Sequence, residues 1–363
     1  MFYLDYQATT PLAPEARAAM LRWLAGPGEG DGFANPASNY RAGRAAAAAV
    51  EVARDQVAAL LPPGGRVYFT SGATESINWT LFAAQRHYGA PTAGTAIEHA
   101  AAIQCLEQMN GILWPVDASG IAQLPNSMAP GIIAACMLVN NEIGTIQPVA
   151  AFAEAVHAAG GLLLCDAVQG FGRMPIPAGP DFIAVSAHKI HGPKGIGALW
   201  IKDGVHLPPF LLGGAQEEGM RSGTVSPALV AGFGAAAALA GERMEADAGH
   251  VAHLWDIATN RLSDWAINGE TGPGQRYRGN LNLRRDGINA TRLLSDARDV
   301  AFSLGSACGS GSGRVSHVLR AMGLSEAEAR SSIRLGWGRF TTEAELTAAL
   351  DALIEAARLQ GAE

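Results

Sequence analysis

The sequence Asp181-Phe-Ile-Ala-Val-Ser-Ala-His-Lys-Ile-His-Gly-Pro-Lys-Gly-Ile-Gly197 joins a short apolar run to a segment of polar residues and glycines. The apolar run predicts a buried strand, and the residues after it predict a loop at the end of that strand. Lys189 lies in this loop, and the chain holds only two other lysines, Lys194 and Lys202. Only a lysine can act as an amine nucleophile here, because arginine stays protonated in proteins. The three lysines are therefore candidates for such a site, although a compositional bias against lysine would also explain their scarcity.

Outward from this stretch, runs typical of strands alternate with runs typical of helices. Such alternation predicts a mostly parallel sheet of the seven-stranded type with helices on both faces, in an α/β fold. An alanine-rich helix over 228–241 is expected to close this large domain. The predicted strands are 66–70, 112–116, 132–139, 162–165, 181–185 and 196–201, and the predicted helices are 75–87 and 149–159.

A shift to charged residues over 242–249 predicts a domain boundary. We expect a large domain over 1–245 and a smaller α+β domain over 246–363, with residues 1–14 packing toward the smaller one. The smaller domain is expected to carry the segment around Cys308. Its predicted elements are a helix over 250–264, strands over 280–283, 300–304 and 332–337, and a capped helix starting near Thr341.

Composition and charge narrow the class of protein. The chain has 363 residues, is 48% hydrophobic and 16% charged, and carries a formal net charge of −7, which predicts a globular protein. This acidic balance argues against nucleic acid as a partner. The longest apolar run, 228–241, is shorter than the roughly 20 residues that span a membrane, so we expect no membrane partner. No signal peptide is visible at the start, and a cytoplasmic location is expected.

The four cysteines fall into two groups. Cys105, Cys136 and Cys165 lie in apolar segments and are expected to be small core residues. Cys308 is surrounded by glycine and serine in Gly305-Ser-Ala-Cys-Gly-Ser-Gly-Ser-Gly313, which predicts an exposed and mobile loop. No cysteine pair has the spacing of a zinc site, so we expect free thiols and no metal.

Polar residues follow several predicted strands at the edge where open α/β sheets bind ligands. Ser71-Gly-Ala-Thr-Glu75 opens a helix and suits a phosphate, although the same residues form ordinary helix caps. Asp166 ends a nearly all-apolar strand, where a buried carboxylate needs a cation or a hydrogen-bond donor. A protonated pyridine nitrogen is such a partner, so Asp166 and Lys189 together suggest pyridoxal phosphate. A structural cap or a metal ligand is the alternative role for Asp166.

The chain resembles the cysteine desulfurases, in the class V aminotransferase branch of the fold type I pyridoxal phosphate enzymes. The resemblance runs over nearly the whole chain through short motifs in the family's order. They are Tyr3-Leu-Asp-Tyr-Gln-Ala-Thr-Thr-Pro11, Asn35-Pro-Ala-Ser38, Thr70-Ser-Gly-Ala-Thr-Glu75, Glu98-His99, Val139-Asn-Asn-Glu-Ile-Gly-Thr-Ile-Gln-Pro148, Asp166-Ala-Val-Gln169, Ser186-Ala-His-Lys189, Arg221-Ser-Gly-Thr224, Gly305-Ser-Ala-Cys308 and Ser332-Ile-Arg334.

The resemblance implies a role for each candidate residue around the cofactor. Lys189 is the Schiff-base lysine, and Asp166 is the partner of the pyridine nitrogen. The remaining implied roles are ring stacking for His99, contacts near the ring hydroxyl for Asn141 and Gln169, and phosphate binding for Ala73, Thr74, Ser186 and His188.

The resemblance also implies the substrate and the partners. Arg334, with Asn141, is expected to bind the carboxylate of L-cysteine, and Thr224 is expected to complete the phosphate site of a neighbouring subunit in a homodimer. Cys308 is expected to form a persulfide as L-cysteine becomes L-alanine, with His99 assisting proton transfer. The sulfur would pass to a protein acceptor, for iron–sulfur cluster assembly or thiolation. A selenocysteine lyase or another class V aminotransferase-like enzyme is one alternative, and a non-catalytic scaffold or sulfur-carrier partner is another.

Overall fold

Strands and helices alternate along most of the chain in the computed structural model, which describes residues 1–304 and 315–361. The strands are β1 (Phe2–Tyr3), β2 (Gly65–Thr70), β3 (Thr92–Thr95), β4 (Ile112–Trp114), β5 (Ile133–Ala135), β6 (Leu162–Asp166), β7 (Phe182–Ser186), β8 (Gly197–Lys202), β9 (Ala266–Ile267), β10 (Asn280–Arg284), β11 (Val300–Ala301), β12 (Ser303–Leu304) and β13 (Ser332–Gly336). The helices are α1 (Pro14–Leu21), α2 (Arg41–Ala58), α3 (Ala73–Tyr88), α4 (Ala100–Gln108), α5 (Val149–Ala158), α6 (Pro227–Arg261), α7 (Ala290–Asp296), α8 (His317–Ala321), α9 (Glu326–Arg330) and α10 (Glu343–Arg358), and Ala187–Lys189 form a 3₁₀ turn.

The main sheet has seven strands in the order β2-β8-β7-β6-β5-β3-β4. Strand β8 runs antiparallel to both of its neighbours, and the other adjacent pairs are parallel. The predicted α/β fold with a mostly parallel seven-stranded sheet is therefore confirmed. Its central strands are buried, as expected for a sheet that helices cover on both faces, whereas Ile112 and Leu113 of the edge strand β4 are exposed.

Strand β3 belongs to this sheet although the sequence analysis does not predict it. It consists of small residues, Thr92-Ala-Gly-Thr95, without the branched apolar run that normally indicates a strand. A side chain at Gly94 would lie 2.6 Å from the Cδ1 atom of Leu106 in α4. The residues of this strand are small because helix α4 packs directly on it. This requirement comes from tertiary packing, so the local sequence shows no pattern typical of a strand.

The sheet brings several strand ends to one edge. Strands β6 and β7 are parallel with Asp166 opposite Ala184, and β2 runs in the same direction because β8 is antiparallel to both β2 and β7. The residues after β2, β6 and β7 therefore meet at the same edge. This edge is where open α/β sheets place their ligands.

A smaller antiparallel sheet, β12-β13-β10-β9, contains Arg334 opposite Ser303. The N-terminal strand β1 pairs with β11, and Leu4 packs in the hydrophobic cluster that β10, β13 and α10 also form. The N-terminal segment thus runs from this cluster toward the edge of the main sheet. The division of the chain at residue 245 stays a prediction.

Helix α6 corrects the prediction of separate helices over 228–241 and 250–264. It is a single helix of 35 residues that continues through the charged stretch 242–249. Its first part buries residues such as Phe233 against the main core, and its second part buries Leu254 and Trp255 in the other cluster. The charged residues between them are exposed or half-buried, and Glu, Arg, Met and Ala favour helix. The shift in composition therefore marks solvent exposure and not a helix end.

Across residues 1–304 and 315–361, no helix combines the length and the apolar character needed to cross a membrane.

Candidate active site

One cavity of about 630 Å³ lies at the edge of the main sheet where β2, β6 and β7 end. Ten of the predicted site residues line it together, from segments that are far apart in the sequence. They are Ala73, Thr74, His99, Asn141, Asp166, Gln169, Ser186, His188, Lys189 and Arg334. Thr224 is exposed and does not line this cavity of its own chain, and Cys308 lies outside the described residues. The roles of these residues stay predictions.

The three lysines differ clearly in position. Lys202 ends β8 with its amine 3.6 Å from Asp181, away from the cavity, whereas Lys194 lies at the cavity but is exposed. Lys189 is partly buried in the cavity wall, in the 3₁₀ turn that follows β7. Lys189 is thus the lysine whose amine both reaches the cavity and is shielded from bulk water.

The amine of Lys189 is held by the N-terminal segment. Its Nζ atom donates to the backbone carbonyl oxygens of Gln7 at 2.6 Å and of Ala8 at 2.8 Å. Burial, and then the positive charges of Arg173 and Arg334, lower the pKa of this amine to about 8. A lysine in this environment is neutral for a useful fraction of the time near pH 8, as a proton acceptor must be.

Asp166 is buried at the end of β6 and faces the same cavity. Its Oδ1 atom accepts a hydrogen bond from the backbone N–H of Val168 at 3.0 Å, while Oδ2 accepts none from the described part of the chain. Burial raises the pKa of Asp166, and the positive charges that His99 and Lys189 can carry act in the opposite direction. A buried carboxylate with one oxygen available calls for a cationic N–H donor in the cavity.

His99 caps the N-terminus of α4 with its ring. Its Nδ1 atom accepts from the backbone N–H of Ala101 at 3.2 Å, so the proton of the neutral ring resides on Nε2. Burial lowers the pKa of His99, which favours this neutral form. A flat, neutral imidazole in the cavity wall suits stacking on an aromatic ring.

The N-terminus of α3 forms one end of the cavity. The first backbone N–H groups of this helix, from Ala73, have no acceptor within the helix. The N-cap residue is Gly72, which has no side chain that could accept from them. Glu75 is neutralised by Arg221, whose Nε and Nη2 atoms donate to its two carboxylate oxygens at 2.8 and 3.0 Å. The end of this helix can therefore receive an anion without repulsion from Glu75.

Arg334 crosses from the small sheet to the opposite side of the cavity and is 1% exposed. Its Nη2 atom donates to Asp5 Oδ1 at 2.7 Å and to Ser303 Oγ at 2.9 Å, and Nη1 donates to the backbone carbonyl of Asn141 at 3.2 Å. Its Nε atom is buried without a partner in the described residues. The guanidinium thus keeps donor capacity for a ligand carboxylate.

The three thiols among the described residues are poor nucleophiles. Cys105, Cys136 and Cys165 are free and buried, as the sequence predicts. Burial raises the pKa of Cys105 to about 11 and raises those of Cys136 and Cys165 well above the ordinary value. None of them is suited to attack a sulfur atom, because the reactive form of a thiol is the thiolate.

Several residues at the site were not identified from the sequence. The backbone carbonyls of Gln7 and Ala8 have no signature in the sequence, and Arg173 is separated from the cavity by Gln169.

Glu98 precedes His99 and is fully buried, with Oε1 bonded to Thr95 Oγ1 at 2.6 Å and to the backbone N–H of Met137 at 2.8 Å. In the described residues no group of three or more His, Cys, Asp or Glu side chains could hold a metal ion.

Glu98 should make the stability of the fold fall as pH rises. Burial, and then the charge of Asp166, raise its pKa from 4.5 to about 8. The folded state therefore retains a proton that the unfolded state loses, and stability is lost between about pH 4.5 and about pH 8, by at most about 1.4 kcal/mol per pH unit. Glu98→Gln cannot ionise and is expected to show a flatter profile of thermal unfolding midpoint against pH. Glu107→Gln, on the exposed face of α4, is the control, and parallel wild-type and Glu98→Gln profiles would contradict the prediction.

Comparison with known proteins agrees with this geometry. The family profile described as aminotransferase class V matches residues 2–348. The cysteine desulfurase IscS of Rickettsia akari (strain Hartford) is 40% identical over 372 residues, which cover 96% of this chain and 89% of that protein. IscS of Rickettsia bellii (strain OSU 85-389) is 40% identical over 367 residues, covering 95% and 88%.

Solved structures show the same architecture. The NifS-like protein from Rickettsia africae ESF-5 aligns with a TM-score of 0.88 and 27% identity, over 98% of this chain and 99% of that one. The structure of SspA in complex with cysteine aligns with a TM-score of 0.80 and 28% identity, over 94% and 100%. The chain therefore belongs to the class V aminotransferase family, and the two Rickettsia relatives are named cysteine desulfurases.

Proposed function

We propose that this chain is a pyridoxal phosphate-dependent cysteine desulfurase, which takes the sulfur from L-cysteine and leaves L-alanine. The observation that carries the proposal is the pair Lys189 and Asp166, whose amine and carboxylate line one cavity at neighbouring strand ends. A pyridoxal ring requires such a pair. The relatives support the substrate, because they are named cysteine desulfurases and one similar structure was solved with cysteine.

The cavity fits pyridoxal phosphate at both of its ends. Asp166 offers a carboxylate oxygen to a protonated ring nitrogen, and the first turn of α3 offers backbone N–H groups to a phosphate. Ser186 and His188 also line the cavity and would join the phosphate site. A volume of about 630 Å³ lies within the usual range for small-molecule sites and leaves room for an amino acid beside the ring.

Each residue then has a defined task in the reaction. Bound pyridoxal phosphate supplies an aldehyde that takes up an amino group and a ring that accepts the electron pair of a Cα–H bond. Asp166 keeps the proton on the ring nitrogen, and Lys189 accepts the proton from Cα. His99 would stack on the ring face, and the carboxamide groups of Asn141 and Gln169 would lie near the ring hydroxyl, as the resemblance implies.

Cys308 is the proposed sulfur acceptor within the chain. Its thiolate attacks the sulfur of the substrate, so that an S–S bond forms and the C–S bond breaks. The electron pair of that bond goes to Cβ, which takes a proton and becomes the methyl group of alanine. The persulfide on Cys308 then passes its outer sulfur to a protein acceptor, for iron–sulfur cluster assembly or thiolation.

A homodimer completes the proposed site. Thr224 is exposed, and three residues earlier Arg221 is fixed to Glu75 at the start of α3. This ion pair fixes the chain just before Thr224 beside the proposed phosphate end. An exposed hydroxyl in that place could serve the phosphate site of a second subunit, as the resemblance implies.

Arg334→Lys tests the proposed carboxylate site. Lysine cannot form a two-pronged contact with a carboxylate while also bonding Asp5 and Ser303, so KM for L-cysteine should rise about 10- to 100-fold. Arg339→Lys is a matched control, because Arg339 binds Asp247 at 2.6 Å and does not line the main cavity. Steady-state kinetics on both variants measure the difference. An unchanged KM in Arg334→Lys would mean that the substrate carboxylate binds elsewhere.

The proposed function is tested by the products formed from L-cysteine. Protein loaded with pyridoxal phosphate is incubated with L-cysteine and a thiol reductant, and alanine and sulfide are quantified while the cofactor absorbance is recorded. Equimolar alanine and sulfide are expected. A coloured protein that releases neither product would contradict the proposal, and release from L-selenocysteine alone would indicate a selenocysteine lyase.

A further inference from the structure

Arg173 lies just outside the cavity and connects two residues of its wall. Its Nη1 atom donates to the side-chain Oε1 atom of Gln169 at 2.6 Å, and its Nη2 atom donates to the backbone carbonyl of Lys189 at 2.7 Å. The guanidinium carbon lies 4.8 Å from the ring centroid of Tyr277. None of the ion pairs in the described residues includes Arg173, so no carboxylate cancels its charge locally.

The contact with Arg173 determines which way the carboxamide of Gln169 points. An arginine can only donate hydrogen bonds, so the atom of Gln169 that faces it must be the oxygen. The nitrogen Nε2 then donates one hydrogen to the backbone carbonyl of Gln7 at 3.1 Å. Its second N–H has no acceptor among the described residues, and Gln169 lines the cavity. The amide therefore offers the cavity a donor and not an acceptor.

We propose that Arg173 is a positioning residue of the active site, which fixes the carboxamide of Gln169 as a hydrogen-bond donor and holds the backbone that carries Lys189. This inference rests on the proposed function, because the group that would receive the hydrogen bond is the phenolic oxygen attached to the pyridine ring of pyridoxal phosphate. Such an oxygen is an acceptor, and a reversed amide would place a second oxygen against it. A flipped or mobile Gln169 would therefore weaken cofactor binding.

The charge of Arg173 also acts on the amine of Lys189. After burial, Arg173 is the largest influence that lowers the pKa of this amine, ahead of Arg334, while Asp166 and Asp5 raise it. His99 and His188 also face Lys189, and burial lowers the pKa of each of them, so both are largely neutral near pH 8. Loss of the charge at residue 173 should therefore make Lys189 harder to deprotonate.

Two substitutions separate the charge of Arg173 from its geometry. Arg173→Met removes both, whereas Arg173→Lys keeps the charge but cannot bond Gln169 and the Lys189 carbonyl as a planar fork. The first measurement is the pH midpoint for acylation of Lys189 in the full chain before cofactor is added, followed by peptide mass spectrometry. Arg173→Met should raise this midpoint by a few tenths to about one pH unit, and Arg173→Lys should leave it close to wild type.

The second measurement is the dissociation constant for pyridoxal phosphate, followed by absorbance. It should rise roughly 3- to 10-fold in both variants, and less when the same changes are made in a Gln169→Ala background, because the part of the effect that passes through Gln169 is already lost there. Arg86→Met, on the exposed face of α3, should leave both quantities unchanged. Circular dichroism confirms that each variant is folded.

Two results would overturn the inference. One is a wild-type midpoint in Arg173→Met, and the other is an equal loss of cofactor affinity with and without the Gln169 side chain. If the wild-type chain itself bound no pyridoxal phosphate, the proposed function would fail and the role assigned to Gln169 with it. The midpoint for Lys189 would still report whether Arg173 acts on the amine, so the two failures are distinguishable.

Discussion

Replacing Lys189 with alanine is expected to abolish the release of alanine and sulfide from L-cysteine, with kcat/KM falling at least roughly 1,000-fold. Lys189 is the shielded lysine of the cavity, and its amine is poised by a pKa of about 8 to exchange a proton near neutral pH. Loss of its side chain removes both the amine proposed to bond the cofactor and the base proposed to take the Cα proton. No other lysine can replace it, because Lys194 is exposed and Lys202 lies beside Asp181.

Lys202→Ala is the matched control for this experiment, since it removes a lysine without touching the cavity. It should retain wild-type product release and the wild-type cofactor spectrum. The absorbance of Lys189→Ala after addition of pyridoxal phosphate should differ from wild type, because the bond between lysine and cofactor is missing. Product release by Lys189→Ala at more than a few per cent of the wild-type rate would refute the assignment of the base.

Lys189 and Asp166 could be predicted from the residues themselves because their local context is distinctive, whereas the roles of the other site residues are implied by the resemblance to cysteine desulfurases. Lys189 and Asp166 follow apolar strands, and the parallel order of β6 and β7 guarantees that such ends meet at one edge of the sheet. The fold class follows from the same alternation of strands and helices. These features depend on short-range patterns, which a single sequence displays directly.

The remaining features depend on contacts between distant segments. The carbonyls of Gln7 and Ala8 hold Lys189 across about 180 residues of sequence, and backbone atoms have no sequence signature. Glu98 is buried, and none of the ion pairs among the described residues includes it, which hydropathy alone would not suggest. Helix α6 shows the same limit. The charged residues 242–249 predict the end of one helix and the start of another, whereas the helix continues through them.

The described residues on either side of the segment 305–314 contact other parts of the chain. Ser303, just before it, bonds Arg334 at 2.9 Å, and His317, just after it, bonds the backbone carbonyl of Glu98 at 2.9 Å. Arg334 lines the cavity, and Glu98 directly precedes His99, which also lines it. Cys308, the proposed sulfur nucleophile, lies within this segment.

Replacing Cys308 with alanine should therefore abolish sulfur transfer while cofactor binding persists. Sulfide release is expected to fall at least roughly 1,000-fold, because the proposed nucleophile is missing. The cofactor spectrum should stay as in wild type, since every residue that would hold the ring is present. Wild-type protein treated with L-cysteine in the absence of reductant should gain the mass of one sulfur atom on the peptide that contains Cys308.

The other cysteines provide an internal control for this assignment. Cys105→Ala should keep sulfide release, because the Cys105 thiol is buried and donates to the backbone carbonyl of Ala101 at 3.0 Å. A thiol reagent should label native wild-type protein at one site and the Cys308→Ala variant at none, since the thiolates of Cys105, Cys136 and Cys165 are disfavoured by burial. Undiminished sulfide release by Cys308→Ala would show that sulfur leaves without an enzyme persulfide. The protein would then act as a cysteine lyase whose active site, with Lys189 and Asp166, needs no protein thiol.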